Sequence, residues 1–493
     1  MSDGVTLSDD MNSYIKGFDR SQTLLLPDVL DKYVAEENEA RFIDAFVDSL
    51  NLDELGFTHS QLNEEGRPPY DPADMLKLFI WGYLNQTRSS RKLERECYRN
   101  LEVIWLMKKL TPDFKTIADF RKDNVDCIKG VFKEFVKLCM GLDLYGAKYI
   151  AIDGVKLKAV NSTDRNFNQK NLCYRLRMID EKVSRYIGEM EKRDREEAEN
   201  EAAGGLEGKI KNIMRCKEEY AELLRKLKES KQNEVSLTDP ESRLMKNRGR
   251  IEPCYNSHVA VDDKNHLIVD YNVTNAPADN CQLSAVAKTA KETLGAKRID
   301  AGADKGFFNF MEIKECVDNG ITPYVPEQSR YGVGLVKKTG VPTREFSSDK
   351  FVYDKETDTH VCPAGKRLEF AYLDYAHEKT MRVYHTDACF SCPFFLTRCT
   401  RNKKGRTVWR WMHMEVVEEM RERMRLEPWK LEARKSIVEH PFGTMKRAFN
   451  QGYLLLKGLR KVTGEVGFTM LAYNMRRAIN VLGAGALKSW VRA

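Results

Sequence analysis

Apolar positions recur at helical spacing through the first third of the chain. Phe42, Ile43, Phe46, Val47 and Leu50 form one stripe and predict a helix. The run RPPYDP at 67–72 is a stiff turn, and Asp71-Pro72 opens a second helix, ADMLKLFIWGYLN. After a break at 86–90, SRKLERECYRN and LEVIWLMKKL follow. Beyond Pro112, Thr116, Ile117 and Phe120 mark one more helix. Short helices in quick succession suit a plain bundle or a helix-turn-helix head over residues 1–140, and spacing does not separate the two.

The period changes at 148–160. KYIAIDGVKLKAV alternates apolar and polar residues as a strand does, with Asp153 in its middle. Residues 165–235 read as an insertion. Leu172, Leu176, Ile179, Val183, Tyr186 and Met190 step by fours and threes. A corner at Ala202-Ala203-Gly204-Gly205 follows, then Leu206, Ile210, Ile213, Lys217, Tyr220, Leu224 and Leu227. This predicts an antiparallel helical hairpin with charged outer faces.

Strand patterns resume at NSHVAVDD and HLIVDYNVTN, a hairpin about Asp263-Lys264-Asn265. A helix ending at Gly295, a strand RIDAGAD ending in Asp304, a helix ending at Gly320 and a strand ITPYVP complete the order. That order predicts an α/β core around a mixed sheet with a parallel portion. Residues 327–429 break the rhythm and end in a charged helix. Helical periodicity returns around Glu439, and the apolar GEVGFTMLAYNMRRAINVL is expected to pack on the core. The expected organisation is a helical head at 1–140, a core from 145–326 plus 430–485, the hairpin at 165–235, and a Cys-rich insertion at 327–429.

Composition narrows this picture. With 31% charged and 42% hydrophobic residues among 493, the chain is not of the disordered class. Its longest apolar runs fall far short of the ~20 residues of a membrane span. Its first ten residues, MSDGVTLSDD, lack the basic and apolar regions of a secretory signal, so a cytoplasmic protein is expected. The net charge of +7 is uneven. From residue 401 onward there are 20 Lys/Arg and 8 Asp/Glu, or +12, leaving 7 − 12 = −5 for the rest. Such a basic quarter suits a polyanion-facing surface, and equally a set of solvated helix faces.

Three acids stand out. A carboxylate in an apolar strand is costly to bury without a partner. Taken singly, Asp153, Asp304 and Glu439 each read as strand-end or salt-bridged acids. Together they lie on a central strand, a neighbouring strand end and a packed helix, where they can converge on Mg²⁺. Two such ions can activate an attacking hydroxyl and stabilise the leaving oxygen of a phosphodiester. Asp262, Asp270 and Asp300 read as turn and strand-end acids.

These residues carry a family likeness. The chain resembles the DDE transposases of bacterial insertion sequences, in the group with an N-terminal helical domain and a Tyr-Arg-Glu-Lys-type C-terminal signature. The likeness runs through RPPYDPADMLKLFIWGYLNQTRSSRKLE at 67–94, PDFKTIADFRKDN at 112–124 and IAIDGVKLKAV at 150–160. It continues in TDPESRLMK at 238–246, YNSHVAVDDKNHLIVDYNVTNAPADN at 255–280, ADKGF at 303–307 and RKSIVEHPFGTMKR at 434–447. The resemblance implies a ribonuclease H-like core, with Asp153, Asp304 and Glu439 as its metal-binding triad. It implies two Mg²⁺ or Mn²⁺ ions, double-stranded DNA as partner and a homodimer on DNA, with a nucleoid location. It implies cleavage at the element's terminal inverted repeats and attack of the freed 3′-hydroxyl on target DNA. Lys446 matches the signature's Lys, a DNA contact near the cleaved end. The Arg position holds Lys435, with Arg434 beside it, and the Tyr position holds Glu432. Arg434, Lys435, Lys446 and Arg447 are the expected DNA contacts. The rivals are a nuclease of the same core and an inactive or domesticated DNA-binding protein.

Two features fall outside that triad. Eight of the 12 cysteines are scattered, whereas Cys362, Cys389, Cys392 and Cys399 are grouped. Four thiolates suit one tetrahedral structural Zn²⁺ in an insertion with little core, with His360, His377 or His385 as substitutes; free thiols are the alternative. Trp409, Trp411 and Trp429 interleave with Arg406, Arg410 and Lys430. Ordinary packing is the stronger reading there, ahead of a base-stacking and phosphate surface. His440-Pro441 reads as a helix-shaping pair.

Overall fold

The computed structural model describes residues 29–58, 69–161, 165–195, 203–229, 234–328, 338–376, 379–447, 449 and 452–492. The head is helical, as its periodicity predicts: α1 (Glu39–Asp48), α2 (Pro72–Leu84), α3 (Ser90–Arg99), α4 (Leu101–Leu106), α5 (Phe114–Asp123) and α6 (Ile128–Gly141). The start of α2 shows the expected chemistry. The Asp71 side chain accepts the Ala73 amide at 2.8 Å, and Pro72 takes the first turn, where its missing N–H costs nothing.

The central sheet contains β1 (Tyr149–Lys158), β4 (Arg243–Asn247), β5 (Arg250–Asp262), β6 (Ile268–Thr274), β7 (Ile299–Ala303) and β8 (Ile321–Tyr324). Strand β5 runs antiparallel to β1 and β6, β1 parallel to β7, and β7 parallel to β8. The order β6-β5-β1-β7-β8, with those senses, is the ribonuclease H-like arrangement. Helices α9 (Leu283–Thr293) and α10 (Phe310–Asp318) make the connections leading into β7 and β8. The sequence reading missed β4, which pairs with the first residues of a β5 that starts earlier than its alternation suggests.

The insertion is a pair of helices, α7 (Gln169–Arg195) and α8 (Ala203–Glu229), standing on a neck of two short strands, β2 (Asn166–Asn168) and β3 (Glu234–Ser236). Phe167, Leu172 and Leu227 form a small buried cluster there, separate from the main core. Of the predicted corner only Ala202 lies outside the described residues; Ala203, Gly204 and Gly205 are not a corner but the first turn of α8.

The Cys-rich region is itself folded. Strands β9 (Val352–Asp354), β10 (Thr359–Val361), β11 (Arg367–Ala376), β12 (Lys379–His385) and β13 (Val408–Trp411) form an antiparallel sheet. Its own core comprises Phe346, Phe351, Leu368, Tyr384, Cys399 and Val408. The expected charged helix is α11 (Met414–Leu426), and the helical periodicity expected around Glu439 is α12 (Trp429–Arg447).

Helix α13 (Leu459–Leu482) is buried almost without interruption from Val462 to Met475, and α14 (Ala484–Arg492) follows it. It runs between the head and the sheet. Phe468 stacks on Phe79 and Tyr83 of α2, with ring centroids 5.3 and 5.0 Å apart. A Cβ added at Gly464 would come within 2.2 Å of Val125, and one at Gly467 within 2.3 Å of the Tyr271 hydroxyl. Absent side chains at these two positions therefore allow the close approach. One continuous apolar core includes head, sheet and α13. No helix among the described residues is long and apolar enough to cross a membrane.

Candidate active site

Strands β1 and β7 pair in parallel, with Ile152 opposite Ala303 at their last rung. Asp153 and Asp304 are the next residues on each strand, so they stand side by side. Successive side chains alternate between faces, which puts Tyr149 and Asp153 on one face, with Asp300 and Asp304 beside them.

Helix α12 lies across that face. The Tyr149 hydroxyl donates to the Lys430 carbonyl at 2.8 Å, and the Lys430 ammonium reaches Asp300 at 2.7 Å. Further along, the Arg434 Nη1 donates to Asp153 Oδ2 at 3.2 Å. Gly302 permits this closure, because a Cβ there would lie 1.9 Å from the Tyr149 hydroxyl oxygen. From Lys430 to Glu439 a helix climbs about 13 Å at 1.5 Å per residue. From Tyr149 to Asp153 a strand rises about the same at 3.3 Å per residue. Nine residues also turn the helix by about two and a half turns, so Glu439 leaves α12 on the side opposite Lys430, and no contact among the described residues brings it to the two aspartates. It follows the buried Val438 at the exposed rim and has no hydrogen bond or ion pair among the described residues.

Burial pushes the Asp153 carboxyl up from the usual carboxylate range. The Gly154 amide and the Arg434 guanidinium oppose this, and the charge of Asp304 adds to it. Asp304 accepts the Gly306 amide at 2.7 Å, capping the short turn that follows β7. No three His, Cys, Asp or Glu side chains among the described residues gather closely enough to hold an ion. Asp153 instead holds a guanidinium. Two neighbouring carboxylates, one already directed at a cation, fit a hard divalent ion in donor type.

Sequence reading missed a further carboxylate. Asp279 accepts from Asn256 Nδ2 at 2.6 Å and lies 2.9 Å from His258 Nε2. A Cβ on Gly306 would sit 2.9 Å from Asp304 and 3.6 Å from Asp279, and one on Gly154 would sit 3.2 Å from Asp279. Asp279 thus reaches the same strand ends from the opposite face. Burial pushes its carboxyl up, but His258, Asn256 and the nearby Lys156 outweigh burial and hold it below the usual range. The signals were present: Asp279 lies in NAPADN, and the alternation of NSHVAVDD turns His258 inward.

The remaining predicted residues fall in several places. Asp300 pairs with Lys430, Asp270 with Lys129 at 3.3 Å, and Asp262 accepts the Gly146 and Ala147 amides, all structural roles. Lys435 is exposed on α12. Lys446 and Arg447 end that helix, and their side chains lie outside the described residues. Helix α12 continues through Pro441, and His440 Nδ1 lies 2.8 Å from the Tyr473 hydroxyl. Arg410 pairs with Glu418 and stacks on Tyr353, Arg406 stacks on Phe351, and Lys430 is buried. Those three cations are packed, but the expected packing of the aromatics holds only in part. Trp411 is buried, whereas Trp409 and Trp429 are exposed. The four grouped cysteines line one cavity in the small module, and His360 packs between Tyr353 and Tyr384 outside it. His377 lies outside the described residues.

Residues 28–123 match the transposase domain DUF772, and residues 361–479 match a transposase DDE domain. The first match covers the head from residue 28 through α5. The second runs from β10 through the four cysteines and Glu439 into α13. Among curated proteins, none matches this sequence.

Proposed function

The chain belongs to the DDE transposases of insertion sequences, and from that premise we propose that it cuts and joins DNA through Asp153, Asp304 and Glu439. The observation that carries this reading is the pair of aspartates, side by side at the ends of adjacent parallel strands under α12. The substrate is double-stranded DNA bearing the element's terminal inverted repeats. A divalent cation held by the three carboxylates, Mg²⁺ or Mn²⁺ and two ions in the full site, would supply Lewis-acid polarisation of the scissile phosphate.

The chain's own groups do the positioning. Asp153 and Asp304 present carboxylate oxygens from a rigid sheet, and Glu439 brings a third from α12. The Tyr149 and Lys430 contacts fix that helix in place. Arg434 offsets the charge of Asp153 until a cation takes over that role and leaves the guanidinium free for a DNA phosphate. Lys435, Lys446 and Arg447 follow along α12 as phosphate contacts. Hydrolysis breaks a phosphodiester P–O bond and leaves a 3′-hydroxyl. That hydroxyl attacks a target phosphorus in line, and the displaced 3′-oxygen leaves with the proton. The mechanism requires no covalent link between protein and DNA. The helical head recognises the element ends, and the α7–α8 hairpin grips DNA or a second copy in a homodimer.

The test is incubation with Mg²⁺ and a labelled duplex carrying the element end. Asp153→Asn, Asp304→Ala and Glu439→Gln should each lower cleavage and joining by roughly a thousandfold or more while DNA binding persists. Equal cutting by native protein and variants would refute the triad. Binding without cutting, even by the native chain, would identify a DNA-binding protein of this fold.

A further inference from the structure

We propose that Cys362, Cys389, Cys392 and Cys399 form a structural zinc site that fastens the five-stranded module. The four residues come from two distant stretches of chain, yet all four line one cavity of about 20 Å³. That volume accommodates a single small atom. None of the four is in a disulfide.

The backbone around the sulfurs has the form of metal knuckles. Cys362-Pro363-Ala364-Gly365 makes a tight turn, with Gly365 at φ 76° and its amide donating to the Cys362 carbonyl at 2.8 Å. The next amide, Lys366, donates to Cys362 Sγ at 3.3 Å. On the other side Gly405, at φ 92°, lets the Arg406 amide donate to Cys389 Sγ at 3.5 Å. Cys389 and Cys392 flank one turn, with the Cys392 amide bonded to the Cys389 carbonyl at 3.1 Å. A neutral thiol is a weak acceptor, so paired amide-to-sulfur bonds favour thiolates. Outer-shell donors of this kind orient metal ligands.

Charge points the same way. Lys366 and Arg406 both line the cavity, and Arg406 Nε is buried without a hydrogen-bond partner. Lys366 is exposed to solvent, whereas Arg406 is partly buried against Phe351 with no carboxylate paired to it among the described residues. Zinc held by four thiolates carries a net charge of −2, which would face the Arg406 guanidinium. On binding, each thiol releases its proton and gives a Zn–S bond of about 2.3 Å. The sulfurs surround the cavity without standing at ligand spacing, so binding draws the two knuckles together. Soft sulfur donors select zinc over magnesium. The six-residue apolar core of the module is also small enough to need such a fastening.

The test is metal analysis of the full chain purified under reducing conditions, with no activity readout. The native protein should carry one zinc per chain, and cobalt exchange should give the visible bands of a tetrahedral cobalt thiolate. Cys389→Ser/Cys392→Ser should lose the zinc, and Cys281→Ser, outside the cavity, should keep it. A native chain with no zinc, with iron in its place, or with disulfides among these four residues would overturn the proposal. So would zinc that persists in the double variant. The metal count and cobalt spectrum of the native chain decide the question even if the variants fail to fold.

Discussion

Gly302 and Tyr149 show how little space separates the sheet face bearing Asp153 from the helix above it. A methyl group at residue 302 collides with the Tyr149 hydroxyl, whose hydrogen bond holds α12 on the sheet. Gly302→Ala should therefore cost about 1–3 kcal/mol of stability in denaturant unfolding. Adding Tyr149→Phe removes the colliding oxygen and should restore part of that loss, a coupling that a double-mutant cycle reads directly. Asp279 makes a different prediction. It touches the acids' strand ends and holds His258, so Asp279→Asn should lower cleavage about 10–100-fold with DNA binding intact. An unchanged cleavage rate would limit Asp279 to folding. At this scale the sequence was legible where an acid interrupts an apolar run, as at Asp153. It was not legible at Asp279, a loop acid whose meaning depends on a neighbour from β5.

Among the elements, α13 joins most of the structure, and Glu465 is its buried joint. Its carboxylate accepts the Leu455 amide at 2.9 Å and the Leu456 amide at 2.8 Å, and it faces Arg88 of the head at 3.4 Å. Removing it in Glu465→Ala should cost about 3–5 kcal/mol, measured as lost thermal or denaturant stability. Burial raises the Glu465 carboxyl above its ordinary value, with Arg121, the two amides and Arg88 opposing. The folded chain therefore holds this proton more tightly than the unfolded chain. Ionisation costs nothing below the ordinary glutamate range and takes stability away as pH rises through the raised value. Glu465→Gln should lack that decline in a series of melting temperatures against pH. Helix periodicity revealed α13, and its continuous apolar character indicated burial. The β9–β13 sheet stayed hidden because three of its five strands span only three or four residues, too short for alternation to register.

On the scale of the whole molecule, the hairpin is the most separable part. Asn166 and Ser236 face each other across its neck, so their Cα atoms lie about 5 Å apart. Replacing 166–236 by a short turn should leave the melting temperature of the core within a few degrees of native. End joining should fall if the arm grips DNA or a second copy. A collapse of the core on excision would show that the arm is part of its fold. Heptad spacing made this arm legible, whereas no local pattern shows that α13 packs on the head.

That last contact has a consequence for biosynthesis. The head leaves the ribosome well before α13, but Phe79 and Tyr83 of α2 stack on Phe468. At about 5–20 residues per second, the partner of α2 arrives on the order of half a minute after α2 itself. Until then the head exposes the apolar surface that α13 will cover. Glu439 emerges in the same late stretch, so under the proposed reaction a nascent chain has no complete set of acids until its core closes.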